Sequence, residues 1–579
     1  LKSWAAGGSE WNWSPGIIGH SAFSETEVYL ARVETDRGDI LRVYEYDRYN
    51  STVWQVDMAI TNGSFVAHPR ITNPTDCDLR GYWWTCVAVD ATPSTRIYTP
   101  ATHVAQTSRD PMRDAPWPHF ADGLENTTFT GYNNDVGADM SYLQNHQIGD
   151  MFLRIPEEAY TPYIAHSQDD GFVLVHGHPL NGTKFYTWGQ SGPGRFMQDF
   201  LAGGGKREGD YTELQVGPAP TQMQDFPVPK NSIREWTEWF KGFYGDVDTL
   251  YGEYDGALDL IDTWMKNEED GMPQENVNDW DDFFEQHATD TPTEILVRGQ
   301  PWGALEEMRL GHPLVPGLTF QMPHNDGDAK SQAAYLEAKP WVELLEHGTF
   351  SEDTLSVMPT SYQTTDPWHV LITKSAEDHK ATWLHHLYLG INLAERGNLA
   401  EPIDHFTRSL EMKPNPVAAR CLAVLSQTQE DAWTHYEQAW TILHSEWTTD
   451  ASYDRLTDNL VNEISMFLQQ AGWYDNMQAF LDAVPEKHRN IDTYITMQIK
   501  VNLRNAEYDA AANILGKECF PTYAKARSDL MDMWNEAQEG IAAQKKGHDE
   551  KLTNVEKHRA RVDNPVPENI GCQYASEYC

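Results

Sequence analysis

The hydrophobic period of this chain changes once, near Phe240, and that change limits what it can fold into. Upstream, short runs such as Glu27–Val33, Ile40–Tyr44, Val53–Met58 and Arg96–Tyr98 sit between clusters of Gly, Asn, Asp and Pro. Apolar, β-branched and aromatic runs bounded by turn residues read as strands. Many such strands at turn-rich spacing make a sandwich or a barrel. Downstream, Ala257–Trp264 and Trp280–Phe284 have helical spacing, and little strand-like sequence returns. The expected organisation is a β domain over residues 1–245 and a mixed connecting region over 246–379, the latter carrying Gly303-Ala-Leu-Glu-Glu307 and several prolines. Helical repeats follow over 380–540, then a charged helix and an irregular tail over 541–579.

The helical part is periodic. Gly390, Leu393, Phe406, Ser409 and Pro414 fall on the glycine, large-apolar, aromatic, small and proline positions of a tetratricopeptide unit. Pro402 departs from that pattern, standing where a small alanine is usual. Gly472-Trp-Tyr-Asp475 and Ala506-Glu-Tyr-Asp509 recur 34 residues apart, the length of one such unit. Met and aromatic residues in these repeats are read as packing. Lys545–Arg561 reads as a solvated helix.

Within the β part, three pieces carry the polar chemistry: Gly171–His178, Lys184–Gln190 and Tyr211–Pro218. Their polar and aromatic residues recur at even steps: His176 and His178; Lys184, Trp188 and Gln190; Glu213 and Gln215. Alternation sends such residues to one face of a sheet. Aromatics, a carboxylate and amides on one face suit a sugar, offering platforms for its C–H face and forks for its hydroxyls. An antiparallel sheet with ordinary surface polar residues is the plainer alternative.

With 87 acidic against 43 basic residues the formal charge is −44, which argues against nucleic acid and anionic membranes as partners. No run of 18 apolar residues exists, so no membrane span is expected. The 21 Trp and 26 Tyr are many for so polar a chain and suit a carbohydrate or protein surface, although β cores also consume them. The six cysteines form no Cys-x-x-Cys pair and match no zinc pattern. Cys77 and Cys86 flank a possible turn and Cys572 and Cys579 sit in the polar tail, so disulfides 77–86 and 572–579 are expected, with Cys421 and Cys519 paired or free. Glycosylation patterns occur at Asn12, Asn50, Asn62, Asn126 and Asn181, and glycans are expected on at least two of Asn50, Asn62, Asn126 and Asn181. Sequons with an even cysteine count favour a secreted, extracellular protein.

Several ordered motifs carry a resemblance. Gly7-Gly-Ser-Glu-Trp-Asn12 with Gly19-His-Ser21, Asn73-Pro-Thr75 with Tyr82-Trp-Trp-Thr85, Lys184-Phe-Tyr-Thr-Trp-Gly189, and Tyr211-Thr-Glu-Leu-Gln-Val-Gly217 with Thr221-Gln222 stand in that order. Together with Gly303-Ala-Leu-Glu306 and the repeats, they resemble uncharacterised proteins joining a galactose-mutarotase-like domain to tetratricopeptide repeats. The implied fold is a β-supersandwich followed by an α-helical array. Family members usually carry further strands upstream of the position of Leu1, so the resemblance implies either that an amino-terminal companion fragment or a homo-oligomer closes the β domain or that this branch has a shorter sheet.

Glu213 is the first catalytic candidate, because mutarotase-like enzymes use a glutamate in a similar Glu-x-Gln context as base at the anomeric hydroxyl. The plain alternative is a carboxylate bonded to Lys184 or to backbone amides. Glu10, between glycines and tryptophans, is the second; two carboxylates flanking one sugar would suit glycoside hydrolysis. Substrate contacts are expected from Trp11, His20, Trp84, His178, Lys184, Trp188, Gln190 and Gln215. If Trp83 and Trp84 share a strand they face opposite sides. His176 and His178 could chelate, but no third ligand is evident, so neither a metal nor any other cofactor is expected. The function expected is a secreted carbohydrate-active protein that binds, and hydrolyses or epimerises, a glycan. The rival is a non-catalytic carbohydrate-binding or scaffolding glycoprotein acting through its repeats.

Overall fold

The computed structural model describes residues 8–13, 27–106, 113–119, 139–189, 194–195, 198, 210–323, 329–520, 527–547 and 551–570, apart from 62, 93, 147, 158, 160–162, 168–170, 177–179, 399, 519 and 568 inside those ranges. The chain divides into two compact units, Leu1–Met322 and Pro323–Cys579.

In the first unit the strands are, in order, β1 Gly8–Trp13, β2 Tyr29–Thr35, β3 Gly38–Asp47, β4 Thr52–Thr61, β5 Ser64–Asn73, β6 Leu79–Gly81, β7 Trp83–Ala91, β8 Arg96–Tyr98, β9 His103–Gln106 and β10 Arg113–Pro116. There follow β11 Gly149–Arg154, β12 Tyr163–Ser167, β13 Gly171–His176, β14 Gly182–Thr187, β15 Asp210–Gly217, β16 Phe226–Val228, β17 Ser232–Glu235, β18 Glu238–Phe243 and β19 Glu294–Val297. One sheet has the order β1-β7-β15-β14-β11-β9-β10; the other runs β19-β2-β3-β4-β5-β18-β13-β12-β8, with β17 also paired to β5. The architecture is the expected β-supersandwich.

Alternation along β15 divides the two faces of the smaller sheet. Leu214 and Val216 join Val87, Val89, Met151, Leu153 and Phe185 in the main core. Tyr211, Glu213 and Gln215 take the far face, where small separate clusters gather around Trp84 and Tyr211. The larger sheet is covered by helices 254–265 and 274–287, whose Ile261, Met265, Val277 and Phe284 extend the same core.

A buried ion pair fastens that cover. Arg42 and Asp57 are fully buried, with Arg42 Nε donating to Asp57 at 2.7 Å and Nη2 at 2.8 Å. The same guanidinium donates to the His287 and Asp290 carbonyls at 2.8 and 2.7 Å, satisfying groups left open at the helix end. Gln55 Nε2 donates to Oδ2 of Asp57, the oxygen that also accepts from Nη2, at 2.9 Å.

Two expectations change. The connecting region 246–379 is divided, its first part completing the β unit and the remainder, from Pro323, opening the helical one. A strand also returns after the helices: β19 pairs with β2 at the sheet edge, and at four residues it is too short to show a period.

The second unit is helical. Helices 383–395 and 401–412 pair, as do 416–425 and 429–446. The Gly390 position is what the repeat requires, since a Cβ there would stand 2.6 Å from the Phe406 ring. Pro402 is tolerated because it lies in the first turn of its helix, where a missing N–H costs nothing. The charged stretch forms the end of helix 527–546 and helix 554–563, the latter opened by a Thr553–Glu556 capping box.

Removing one partner of a buried ion pair strands the other charge, at about 3–5 kcal/mol. Arg42→Ala should lower the stability of the β unit by that amount in urea titrations, and the double replacement Arg42→Met with Asp57→Leu should recover most of it. Acid should also weaken the fold. Burial pushes the His146 imidazole down to about 4 and the His385 imidazole likewise to about 4. Their folded-state values lie below the unfolded value near 6.5, so the unfolded chain takes up protons first as pH falls. The stability these two contribute should be complete above about pH 6.5 and lost progressively towards pH 4. Replacing His146 by Gln should flatten the acid limb in thermal melts across that window.

Candidate functional site

The far face of the smaller sheet is built by register. Gln215 stands opposite Lys184 on β14 and Cys86 on β7, while Glu213 stands opposite Tyr186 and Ala88. One strand further, Lys184 pairs with Phe152 and Tyr186 with Asp150 of β11. Two adjacent rows of one face therefore hold Glu213, Gln215, Lys184, Tyr186 and Asp150.

These side chains form a directed hydrogen-bond chain. Lys184 Nζ donates to Asp150 and, at 2.6 Å, to Oε1 of Gln222. Gln222 Nε2 donates to Oε1 of Gln215 at 3.2 Å, and Gln215 Nε2 donates to Oε2 of Glu213 at 2.6 Å. Every link from the ammonium to the Glu213 carboxylate points the same way, so positive charge at one end polarises donors towards negative charge at the other. Glu213 is only 4% exposed, and Lys184, Gln215 and Gln222 are buried with it. The amide link also fixes the plane of the carboxylate.

Beside Glu213 lie three rings. Trp188 Nε1 donates to the Tyr211 hydroxyl at 2.8 Å, and Tyr186 meets Trp188 edge to face with centroids 5.0 Å apart. Burial, followed by the charge of Glu213, raises the Tyr186 and Tyr211 phenols, so both stay protonated donors at neutral pH. Tyr186 and Trp188 keep part of their surface in solvent.

Glu213, Gln215, Lys184 and Trp188 are thus brought together, while other expected contacts fall elsewhere. Trp84 is fully buried and packs edge-on against Phe152 at 6.0 Å. Gly182 and Gly217 make room for it, since a Cβ on either would come within 2.6 and 2.9 Å of its ring. Trp84 is therefore packing and offers no ligand platform. Lys184, between Asp150 and Gln222 and over the Trp84 and Phe152 rings, is a buried link in the chain and not an exposed sugar contact. Glu10 pairs with Cys86 and so shares the row of Gln215; Trp11 pairs with Thr85, in the row of Val216, on the core-facing register. Both residues are placed by backbone register only. Two strand spacings and a two-residue offset separate the Glu10 and Glu213 backbones by about 12 Å. His20, His178 and Gln190 lie outside the described residues. Asp150 and Gln222 were not among the expected site residues; Lys184 bonds both, and Gln222 also bonds Gln215.

The expected 77–86 disulfide is overturned. No bridge joins them: Cys77 is exposed in the loop before β6 and Cys86 is buried mid-strand on the far face of β7. Cys572, Cys579 and Cys519 lie outside the described residues, as do Asn62 and Asn126. Asn181 is exposed, whereas Asn50 already uses its side-chain nitrogen on Asp47 at 2.7 Å. Among the described residues, no group of three or more His, Cys, Asp or Glu is placed to hold a metal ion, and no helix is long and apolar enough to cross a membrane.

The fold defines a class: a large two-sheet β-supersandwich joined to tetratricopeptide-like helical hairpins. Residues 2–237 match the model of a domain of unknown function, DUF5107. Residues 456–568 match that of the N-terminal SD domain of the transcriptional regulator SIX1. No curated protein matches the chain. Among solved structures, a TPR-domain-containing protein from Parabacteroides distasonis is similar over 97% of this chain and 80% of its own, at 14% identity and a TM-score of 0.53. A galactose mutarotase-like protein from Lactobacillus casei covers 38% of this chain and 73% of its own, at 9% identity and a TM-score of 0.25. A TPR protein with an unusual peptide-binding site covers 33% and 93%, at 12% and 0.23. The first alone exceeds a TM-score of 0.5, and at its identity it speaks to the fold only.

Thiol chemistry checks the cysteine correction. Iodoacetamide should label Cys77 in the native protein and reach Cys86 only after unfolding, as read by peptide mass spectrometry; a native 77–86 cross-link would refute it.

Proposed function

We propose that the protein is a secreted carbohydrate-active protein whose sugar docks on the far face of the seven-stranded sheet. Tyr186 and Trp188 supply the ring surface and Glu213 serves as acid–base group at the anomeric centre. The observation that carries this reading is the donor chain from Lys184 through Gln222 and Gln215 to Glu213. Glu213 in its neighbourhood has three aromatic residues within one or two register positions, the combination a pyranose needs. A carboxylate held in one plane presents a fixed lone pair to a hydroxyl, which favours proton transfer over mere contact. Glu213 would take the proton of the anomeric hydroxyl while the ring oxygen takes up a proton from solvent, so that C1–O5 breaks, the open aldehyde forms, and reclosure on either face exchanges the anomers; hydrolysis would need a second carboxylate, for which Glu10 is the candidate by backbone register.

The 4% exposure of Glu213 favours a second reading, in which the carboxylate is structural and the protein binds a glycan without turning it over. One experiment separates the two. The intact protein is screened against aldoses and oligosaccharides, with anomer exchange followed by NMR, products by chromatography and binding by calorimetry, beside Glu213→Gln. The catalytic reading expects turnover that falls by about 10²–10⁴-fold in the variant while binding persists. Turnover unchanged in Glu213→Gln would remove Glu213 from the chemistry, and binding without turnover in both would establish the second reading.

A further inference from the structure

At the turns between consecutive hairpins of the helical unit, an open pocket of about 720 Å³ is lined by Gly472, Trp473, Tyr474, Asp475, Asn476, Arg504 and Asn505. Its size falls in the range of small-molecule sites, roughly 300–1,000 Å³. Two segments build it, the turn after helix 453–471 and the end of helix 492–504. Gly472 closes the first helix in the left-handed conformation at φ 73°, which swings Trp473 and Tyr474 out of the helical path. Trp473 rests edge-on against Phe467 at 6.0 Å, and both Trp473 and Tyr474 remain half-exposed.

The polar wall is the second observation. Among the described contacts, none of the side chains of Asp475, Asn476, Arg504 and Asn505 is engaged in a hydrogen bond or an ion pair, nor is the Tyr474 hydroxyl. A guanidinium, a carboxylate and two amides, all forked and all uncommitted, stand around two aromatic rings. Elsewhere in this unit such groups are used internally: Arg420 and Tyr436 both bond Glu463, and Asn415 caps its helix.

We propose that this pocket is a saccharide-binding site, and that its ligand is a neutral pyranoside or short oligosaccharide. A ring on Trp473 or Tyr474 stacks its C–H face, while Asp475, Asn476, Arg504 and Asn505 fork to adjacent hydroxyls. Asp475 and Arg504 cancel in charge, and the exposed Glu507 and Asp509 close by disfavour an anionic sugar. The site stands on residues and contacts independent of the sheet face.

The test uses the full chain carrying Glu213→Gln together with Trp188→Ala, so that the sheet face has lost its ring platform as well as its carboxylate. Calorimetry and saturation-transfer NMR are run with a panel of neutral oligosaccharides, with a uronate oligosaccharide and an acidic peptide as comparators. The expected result is saturable binding of a neutral saccharide, weakened at least tenfold by Trp473→Ala and severalfold by Arg504→Gln. Arg504→Gln breaks no hydrogen bond or ion pair among the described contacts, so it should melt like its parent even if Trp473→Ala unfolds. Saccharide affinity unchanged by Arg504→Gln, no saccharide bound, or preference for the uronate or peptide would each overturn the proposal. Retained binding in the Glu213→Gln, Trp188→Ala parent with loss on Arg504→Gln supports this site whatever becomes of the sheet face.

Discussion

A buried sheet face must satisfy every polar group it carries, and the far face of the seven-stranded sheet meets that demand with one chain of donors. The chain closes because Gln222, beyond the end of β15, returns an amide between Lys184 and Gln215. An apolar residue at that position would leave a buried ammonium with Asp150 alone and a buried amide oxygen without its donor, each of which costs free energy. The neighbouring rows accept the arrangement because Gly182 and Gly217 admit Trp84 and so give the Lys184 stem an aromatic floor. Site and packing are here the same set of contacts.

What could be read from the sequence follows the range of each physical rule. Period-two alternation acts within a strand, and it placed Glu213 with Gln215 and Lys184 with Trp188 before any register was known. It also separated Trp83 from Trp84, and these two indoles do go to opposite sides, Trp83 against Trp236 and Trp84 against Phe152. It could not say that both would be buried, because the depth of Trp84 is set by two glycines on other strands. Asp150 and Gln222 were missed for the same reason: 34 and 38 residues from Lys184, they meet it only through register and a turn.

The cysteines show the opposite failure, a local inference that ignored alternation. Closeness in sequence suggested a 77–86 bridge, yet Cys86 is fixed mid-strand between Glu10 and Gln215, where its direction is set by the pleat. In the repeats, by contrast, local spacing sufficed. Gly390 and Phe406 are sixteen positions apart on two paired helices, and the bulk of the ring excludes any side chain at the glycine.

The two units treat their polar groups differently, and the difference bears on what each can do. On the sheet, donors and acceptors are spent on one another, which costs ligand affinity but holds the Glu213 carboxylate in a single orientation. Such preorganisation is useful for moving a proton, because no reorganisation is needed when charge shifts. At the Gly472 and Arg504 turns the groups are uncommitted, so a ligand that replaces their water can gain the full fork of hydrogen bonds without breaking any in the protein. The first arrangement suits chemistry on a sugar and the second suits holding one.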